Sequence, residues 1–488
     1  MSALSDLRPL LTAVIDDCDD AEVGASLSRL AVRLDEPLLV AIAGKVKAGK
    51  STLLNALVGD KLAPTDAGEC THIVTWYRNA PTYKVVAHLA DGSSTQLPFR
   101  RDDGALEFDL GAIPAESVDR IVVDWPSSRL ADMTLIDTPG LDSVNTHISD
   151  RTHRFLTTDE DRPGQADAVV YLMRHIHQSD LGFLESFRDD AQAGATPISS
   201  IAVLSRADEI GVCRLDAMSS AQKIAHTWQA DPRLRRLCQT VVPVAGLIAE
   251  AGATLREDEY RTLASIAALP RPQADGLLLS IDRFVADVDC GVTQVAREDL
   301  LQRLGIFGVR VAVGLVRLGA APTSTVLAKE LNGRSGVGHL RHLLATVLTN
   351  RRDVLKARVA LSGLEAALSA LPGDRFDRHR ADIERISASA HEFEEVHLLN
   401  AVRSGTLKFR ESEVAELEQL LGGIGTPPHH RLGLDADADV RTAALGAIER
   451  WRRRAENPIT SLELAQASRS IARTYEGLIA EGTAPRPA

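Results

Sequence analysis

The sequence contains few cysteines and few aromatic residues. Its 488 residues include five cysteines, an odd number, and none follows C-x-x-C spacing. This argues against a disulfide framework and against a zinc site, and it favours the reduced thiols of a cytoplasmic protein. Aromatic residues make up 4% of the chain, whereas alanine and leucine are frequent, which favours extensive helix.

An excess of basic residues and long apolar runs are also absent. The formal net charge of -12 gives no overall attraction to nucleic acid, so we expect no nucleic-acid partner. Residues 1–20 are acidic and carry no apolar core, which argues against a secretory signal. The apolar stretch 309–318 is interrupted by Arg310 and Arg317 and is shorter than the ~20 residues that span a bilayer. We therefore expect no transmembrane helix.

Hydrophobic periodicity divides the chain into three parts. Residues 1–35 have the period of helices. Residues 36–290, with their motifs within 36–250, alternate short β-rich runs with helical segments, which predicts an α/β domain with a mixed, mostly parallel sheet wound with helices. The predicted strands are residues 38–43, 72–77, 84–89, 120–123, 133–136, 168–173, 198–204 and 241–244. In residues 291–488 the strands disappear, and two predicted helices cover about 340–371 and about 378–421. Helices of ~35 to 45 residues would be ~50 to 65 Å long, which predicts an elongated bundle.

The most specific motif is GKVKAGKS at residues 44–51, between an apolar run and an amphipathic segment. The pattern G-x-x-x-x-G-K-[ST] lets the backbone wrap a polyphosphate, with Lys50 reaching the β- and γ-phosphates and the Ser51 hydroxyl binding Mg²⁺. The helix that follows adds amide donors and a positive dipole end. The predicted phosphate-binding residues are Gly44, Lys45, Val46, Lys47, Ala48, Gly49, Lys50, Ser51 and Thr52.

A second phosphate element follows the apolar strand that ends in Asp137-Thr138-Pro139-Gly140. Alone, this sequence is typical of a common turn. Downstream of a P-loop, it predicts that Asp137 holds Mg²⁺ through water and that the Gly140 amide contacts the γ-phosphate.

A third element, Ser205-Arg206-Ala207-Asp208, follows another apolar run. The Asp208 carboxylate is expected to accept two N–H bonds from guanine, which adenine cannot supply, and a buried acceptor left unpaired costs about 1–3 kcal/mol. The loop therefore predicts GTP rather than ATP. The usual residue two before this Asp is Lys, but Arg206 can also cover the base. Ala245 ends a later strand where a base-cradling loop is expected.

The loop 64–72 lies between the first two elements and contains two threonines. A threonine there can coordinate Mg²⁺ and hold the attacking water through its backbone. We predict this role for Thr71, with Thr65 as the competitor. The alternative is that both are ordinary loop residues.

The order GKVKAGKST, PTDAGECT, DTPG and SRAD, followed by a long helical part, resembles the bacterial dynamin-like GTPases, and among them the isoniazid-inducible dynamin-like proteins of mycobacteria. The resemblance implies a GTPase head that hydrolyses GTP to GDP with Mg²⁺, a helical neck that includes the N-terminal helices, and a trunk whose tip touches lipid. It also implies self-association of heads, which stimulates hydrolysis, peripheral attachment at the inner face of the plasma membrane, and room for a paralogous dynamin-like partner.

The resemblance also raises a question about Lys47. Dynamins bind a monovalent cation through a P-loop serine, and Lys47 occupies the matching position. Our hypothesis is that its ammonium supplies this charge in cis, as an arginine finger does elsewhere. The alternative is a solvent-facing lysine. The predicted catalytic residues are Lys47, Lys50, Thr71 and Gly140.

Two segments are predicted as lipid-contacting tips. One carries Leu371 and Phe376, and the other carries Leu420, Leu421 and Ile424. A basic cluster around Trp451 is a further option for headgroup contact, although arginines at a helix end are favoured by the dipole in any case. We therefore predict a dynamin-like GTPase that hydrolyses GTP through head-to-head association and couples hydrolysis to membrane binding or remodelling. The alternative function is a soluble regulatory GTPase that acts as a nucleotide-dependent protein-binding switch. GTP turnover per molecule is expected to rise with protein concentration for the dynamin-like GTPase and to stay constant for the regulatory switch.

Overall fold

The computed structural model describes residues 3–63, 73–102, 105–139, 166–189, 199–371, 374–389, 391–405, 407–422, 427–435 and 439–482. Within these ranges, nine strands form one sheet in the order β11-β10-β9-β1-β8-β2-β7-β3-β4, and β5 pairs with β6 as a separate hairpin. The strands are β1 Leu38–Gly44, β2 Thr75–Asn79, β3 Lys84–Leu89, β4 Ser94–Gln96, β5 Phe99–Asp102, β6 Ala105–Phe108, β7 Val118–Trp125, β8 Met133–Asp137, β9 Ala168–Met173, β10 Ser200–Ser205 and β11 Val241–Val244.

The centre of the sheet is parallel and buried on both faces. Strands β8, β1, β9, β10 and β11 pair in parallel, whereas β2 is antiparallel to β8. Every residue of β1, β9 and β10 is buried, as expected for parallel strands covered by helices. The predicted α/β class with a mixed, mostly parallel sheet is confirmed. Because the carboxyl ends of parallel strands share one edge, the loops after β1, β8 and β10 meet there.

The helices of the first half are α1 Ala3–Asp17, α2 Ala21–Arg33, α3 Lys50–Val58, α4 Gln178–Asp189, α5 Ala217–Ala230, α6 Pro232–Leu237, α7 Gly246–Thr254, α8 Glu257–Ala268, α9 Arg271–Leu277 and α10 Ile281–Val285. Those of the second half are α11 Gln294–Arg317, α12 Ser324–Arg334, α13 Val337–Leu343, α14 Arg352–Ala370, α15 Asp377–Ser389, α16 His391–Ser404, α17 Glu411–Leu420, α18 Pro428–Arg431, α19 Val440–Glu456 and α20 Leu462–Gly482.

The helices pack into three clusters beside the sheet. Helices α1 and α2 share a core with α14 and α15. Helices α7 to α12 form a second core. Helices α16, α17, α19 and α20 form a third. A helical region in addition to the sheet is thereby confirmed, while the boundaries at residues 35 and 290 stay predictions.

The prediction of helices of 35 to 45 residues is wrong. The longest helix in the described part of the chain is α11, with 24 residues and a kink at Gly305. The predicted helix 378–421 is broken after Ser404, where Gly405 has a φ of +70°, a left-handed conformation that ends helices, and α17 begins only at Glu411. The predicted helix 340–371 is interrupted by a π turn at Leu344–Leu348 and a 3₁₀ turn at Thr349–Arg351.

The structure also contradicts the prediction that both tips are exposed. Leu371 and Phe376 are 6% and 1% exposed and belong to the core of α1, α2, α14 and α15. Leu420 and Leu421 are 0% exposed and lie in the C-terminal core. These side chains are buried because they continue the apolar faces of the helices they end. Ile424 lies outside the described residues. Among the helices that are described, none has the length and hydropathy that a bilayer span requires.

Candidate nucleotide-binding site

The P-loop connects β1 to α3 through glycines that no other residue can replace easily. A Cβ on Gly44, whose φ is +149°, would lie 2.6 Å from the carbonyl oxygen of Leu172 in β9. Gly49 precedes α3 with a φ of +93°, in the left-handed region that favours glycine. The Lys50 ammonium donates to the carbonyl oxygens of Gly44 and Lys45, each at 3.2 Å, and its burial lowers its pKa. The predicted P-loop residues therefore lie together at the carboxyl end of β1.

Ser51 and Asp137 form a pair of oxygens beside the P-loop. The Ser51 hydroxyl donates to Asp137 Oδ2 at 3.0 Å. The Oδ1 atom of Asp137 is buried and has no hydrogen-bond partner among the described residues, and burial raises the pKa of this carboxyl while the nearby Lys50 opposes that rise. Thr138 donates to the carbonyl oxygen of Ile42 at 3.0 Å, which fixes the motif to β1. A buried carboxylate oxygen next to a hydroxyl fits a hard cation such as Mg²⁺.

The segment Ser205–Asp208, here called the base loop, lies at the end of β10. Together with the P-loop it encloses a cavity of about 110 Å³. Asp208 is 5% exposed, and burial raises its pKa to about 6. Arg206 has a left-handed φ of +52° and donates to the carbonyl oxygen of Lys47 at 2.9 Å, so the base loop and the P-loop are bonded directly. The cavity is lined by residues of four segments: Ala48, Gly49, Thr52, Leu53, Leu172, Val203, Ser205, Arg206, Asp208, Glu209, Val244, Gly246 and Leu247.

The remaining predicted site residues fall into three groups. Lys47 is solvent-exposed, with a left-handed φ of +62°. Ala245 is fully buried beside the cavity, and its neighbours Val244 and Gly246 line it instead. Thr65, Thr71 and Gly140 lie outside the described residues, so their predicted roles stay predictions.

The structure adds residues that no sequence motif indicated. The buried Asp180 lies 3.8 Å from the Lys45 ammonium and accepts a hydrogen bond from Tyr171 at 2.8 Å. Arg174 and Arg206 both form ion pairs with Glu209 at the edge of the cavity. The Lys45–Asp180 and Arg174–Glu209 pairs join residues that are far apart in the chain, and the strand order brings them together.

Comparison with known proteins agrees with this geometry. The family model described as the Dynamin family matches residues 40–192. Over the full length of both chains, the sequence is 39% identical to the isoniazid-induced protein IniC of Mycobacterium tuberculosis strain H37Rv. This chain belongs to the dynamin family. As a dynamin-family GTPase it is a GTP hydrolase, and GTP is its substrate.

More distant relatives match only part of this dynamin-family chain. A bacterial dynamin-like protein of Nostoc punctiforme is 35% identical over 118 residues, which are 21% of this chain and 16% of the relative. Dynamin-like protein A of Bacillus subtilis is 29% identical over 178 residues, or 36% of this chain and 14% of the relative. A solved structure of an oligomerised bacterial dynamin pair aligns with 86% of this chain and 78% of its own, at 14% identity and a TM-score of 0.32.

Proposed function

We propose that two copies of this GTPase associate head to head across their nucleotide sites, that this contact stimulates GTP hydrolysis, and that turnover is coupled to membrane contact. One observation carries the proposal: apolar side chains are exposed around the nucleotide site. Val46 in the P-loop is 49% exposed, and Val212 and Leu215, which follow the base loop, are 86% and 69% exposed. A second copy of the same surface would remove them from water.

The site residues take separate roles in this proposal. Lys50 and the amides of the P-loop bind the β- and γ-phosphates, and Asp208 accepts hydrogen bonds from the guanine edge. Ser51 and Asp137 would hold Mg²⁺, which supplies neutralising charge at the phosphates. Thr71 and Gly140 are proposed to position the attacking water and to contact the γ-phosphate. Lys47 is proposed to replace the monovalent cation of its relatives.

We propose the turn between α19 and α20 as the lipid contact. These two helices pack against each other as a hairpin, and the turn presents Ile459 and Leu462, which are 93% and 71% exposed. Arg452 and Arg453, in the last turns of α19, are also exposed. Exposed apolar side chains flanked by arginines fit the interface of an anionic bilayer, so the proposed attachment is peripheral, at the inner face of the plasma membrane.

Sedimentation velocity tests the head-to-head contact. We expect a dimer in GTP with Mg²⁺ and a monomer in GDP, and we expect Val212→Asp to remove the dimer because it places a charge in the apolar contact. Val32→Asp is the matched control, since Val32 is 62% exposed on α2, in a different cluster. A monomer in both nucleotides would contradict the proposal.

The second candidate is a regulatory GTPase that switches a protein partner. It is favoured by the burial of Leu371, Phe376, Leu420 and Leu421, which removes the apolar tips expected of a membrane protein. In that function the bound nucleotide changes the affinity of this GTPase for another protein. The GTPase alone would then sediment as a monomer in both GTP and GDP. If a paralogous dynamin-like protein is the partner, adding it to the sedimentation experiment should produce a mixed dimer.

A further inference from the structure

The base loop continues into a turn of left-handed backbone. In the described part of the chain, the non-glycine residues with positive φ are Lys47, Arg206, Val212 and Cys213, and all four belong to the P-loop or to the segment that follows β10. Gly211, Val212 and Cys213 are consecutive, with φ values of 64°, 62° and 57°. This conformation is unfavourable for a β-branched residue. The Val212 side chain is 86% exposed, so its own packing does not hold the turn.

Arg310 of α11 holds this turn through the backbone. Its Nη1 donates to the carbonyl oxygen of Cys213 at 2.7 Å and, more weakly, to that of Val212 at 3.5 Å. Its Nε and Nη2 donate to the carbonyl oxygens of Leu278 and Leu279 at 2.9 and 2.8 Å. The planar guanidinium, with donors in a fixed fork, thus joins two loops that are distant in sequence.

The same helix also lies against the base-recognition carboxylate. Gly305 breaks α11 with φ +64° and ψ 166°, and a Cβ on it would lie 3.8 Å from Asp208 Oδ2. Between these two points, Phe307 and Val311 pack in one cluster with Cys213. Helix α11 therefore contacts the base loop at Asp208 and at the end of the left-handed turn, five residues later in the chain.

We propose that Arg310 is a positioning residue for base recognition: by clamping the left-handed turn after Asp208, it keeps the carboxylate where guanine can bind it. The inference rests on the proposed role of Asp208. Without the clamp, the turn relaxes to a conformation that valine and cysteine prefer, and Asp208 shifts with it.

Binding of GDP and of IDP, measured by calorimetry, tests the inference, because IDP lacks the 2-amino group that Asp208 accepts. For Arg310→Ala we expect the ratio of the IDP Kd to the GDP Kd to fall about tenfold, the size of one lost charge-assisted hydrogen bond. Adding Val212→Gly should restore the ratio, because glycine adopts left-handed backbone without cost. If Arg310 had only a general structural role, the Val212→Gly substitution at this exposed position would not restore the ratio in the Arg310→Ala variant.

Arg317 provides the matched control. It lies on the same helix and clamps the carbonyl oxygens of Ala267 and Leu269 at 3.0 and 2.9 Å, in a loop that does not continue into the base loop. Arg317→Ala should leave the ratio unchanged. If Arg310→Ala does not fold, Arg310→Lys with and without Val212→Gly gives the same comparison, since one ammonium cannot bridge both loops.

Two failures are distinguishable. If Asp208→Asn lowers the ratio and Arg310→Ala does not, the clamp is wrong and Asp208 retains its role. If Asp208→Asn also leaves the ratio unchanged, the proposed role of Asp208 is wrong, and the inference about Arg310 falls with it.

Discussion

At the residue scale, the P-loop holds an exposed lysine, Lys47, which, we propose, replaces a bound monovalent cation. Lys47 adopts a left-handed φ of +62°, and its carbonyl oxygen is fixed by Arg206, so the side chain starts from a backbone that is held in place. In the proposed role, an ammonium on that backbone supplies positive charge at the phosphates without a separate cation-binding step.

We expect Lys47→Ser to lower the GTP turnover number about tenfold or more in sodium buffer and to make it dependent on potassium, because the developing charge loses its built-in cation. Lys47→Arg keeps a positive charge and is the control, with turnover independent of potassium. Steady-state kinetics in sodium and potassium buffers provide the measurement. An unchanged rate and unchanged potassium response in the serine variant would contradict the hypothesis.

Asp208 gives base recognition a predictable pH dependence. Burial, with a smaller contribution from Glu209, raises its pKa to about 6, whereas Arg206 and Arg174 oppose that rise. In its proposed role the ionised carboxylate accepts hydrogen bonds from the guanine N–H groups, so we expect the affinity for guanine nucleotides to fall as the pH drops through about 6. Because the folded-state pKa lies above the ordinary value of 3.8, this group also lowers the free energy of unfolding as the pH rises from 3.8 to about 6.

We expect the ratio of the ADP Kd to the GDP Kd to fall about tenfold from about pH 7.5 to about pH 5. Using a ratio removes the titration of the phosphates, which both nucleotides share. Asp208→Asn should give a ratio that is low and flat across the same range. A wild-type ratio that is constant with pH would show that this carboxylate does not titrate in the window.

At the element scale, α14 is bonded to the ends of the strands opposite the nucleotide site. Lys356 forms an ion pair with Asp167 at 2.7 Å, with side chains 1% and 0% exposed. Asp167 also accepts a hydrogen bond from the Leu39 amide at 2.8 Å, at the start of β1. Burial lowers the pKa of Lys356, and the carboxylate opposes that change. Strand β1 therefore has α14 at one end and the P-loop at the other.

We expect Lys356→Met to lower the free energy of unfolding by about 3–5 kcal/mol, because it removes the ammonium and leaves the Asp167 carboxylate buried with one fewer cation. The double variant with Asp167→Asn should lose less than the sum of the two single variants. Arg8→Met is the control, since Arg8 pairs with the exposed Asp35, and it should leave the denaturation midpoint unchanged. Additive losses in urea titrations would contradict a coupled buried pair.

Sequence patterns predicted the central strands closely and the edges poorly. The bounds of β9 and β11 match the predicted runs because buried parallel strands are continuous apolar stretches. Strand β4 was missed because all three of its residues are polar and exposed. Helix lengths were overestimated because an apolar period can continue across a break such as Gly405, where only the backbone changes.

Some residues of the nucleotide site were also predictable from the sequence, and others were not. The grouping of Lys50, Ser51, Asp137 and Asp208 at one edge of the sheet was predictable because phosphate, Mg²⁺ and guanine sites each require a particular residue type at a fixed spacing, while the roles of these residues stay predictions. Asp180 and Arg310 were not, since their roles depend on which strand or helix lies beside the loop. No spacing in the chain encodes that arrangement.

At the scale of the whole molecule, the proposed position of lipid contact rests on the apolar side chains that are exposed at the turn between α19 and α20. The predicted basic cluster does not provide it alone, since Arg450, Arg452 and Arg454 form ion pairs with Glu416, Glu476 and Glu413, and Trp451 is buried. Ile459 and Leu462 are left at the end of the hairpin.

We expect the double variant Ile459→Asp, Leu462→Asp to lose flotation with anionic liposomes, because burial of each side chain contributes about 1.5–3 kcal/mol. Leu445→Asp is the control, since Leu445 is 49% exposed on α19, away from the turn. If the double variant floats with anionic liposomes as well as the wild type does, the lipid contact lies elsewhere.

The central claim is that head-to-head contact drives hydrolysis and that a membrane promotes this contact. The most direct measurement is GTP turnover per molecule against enzyme concentration, with and without anionic liposomes. We predict that turnover per molecule rises with concentration and reaches its plateau at lower concentration on liposomes, because the surface concentrates the heads. Turnover per molecule that is independent of concentration and of liposomes would contradict the account and favour the regulatory switch.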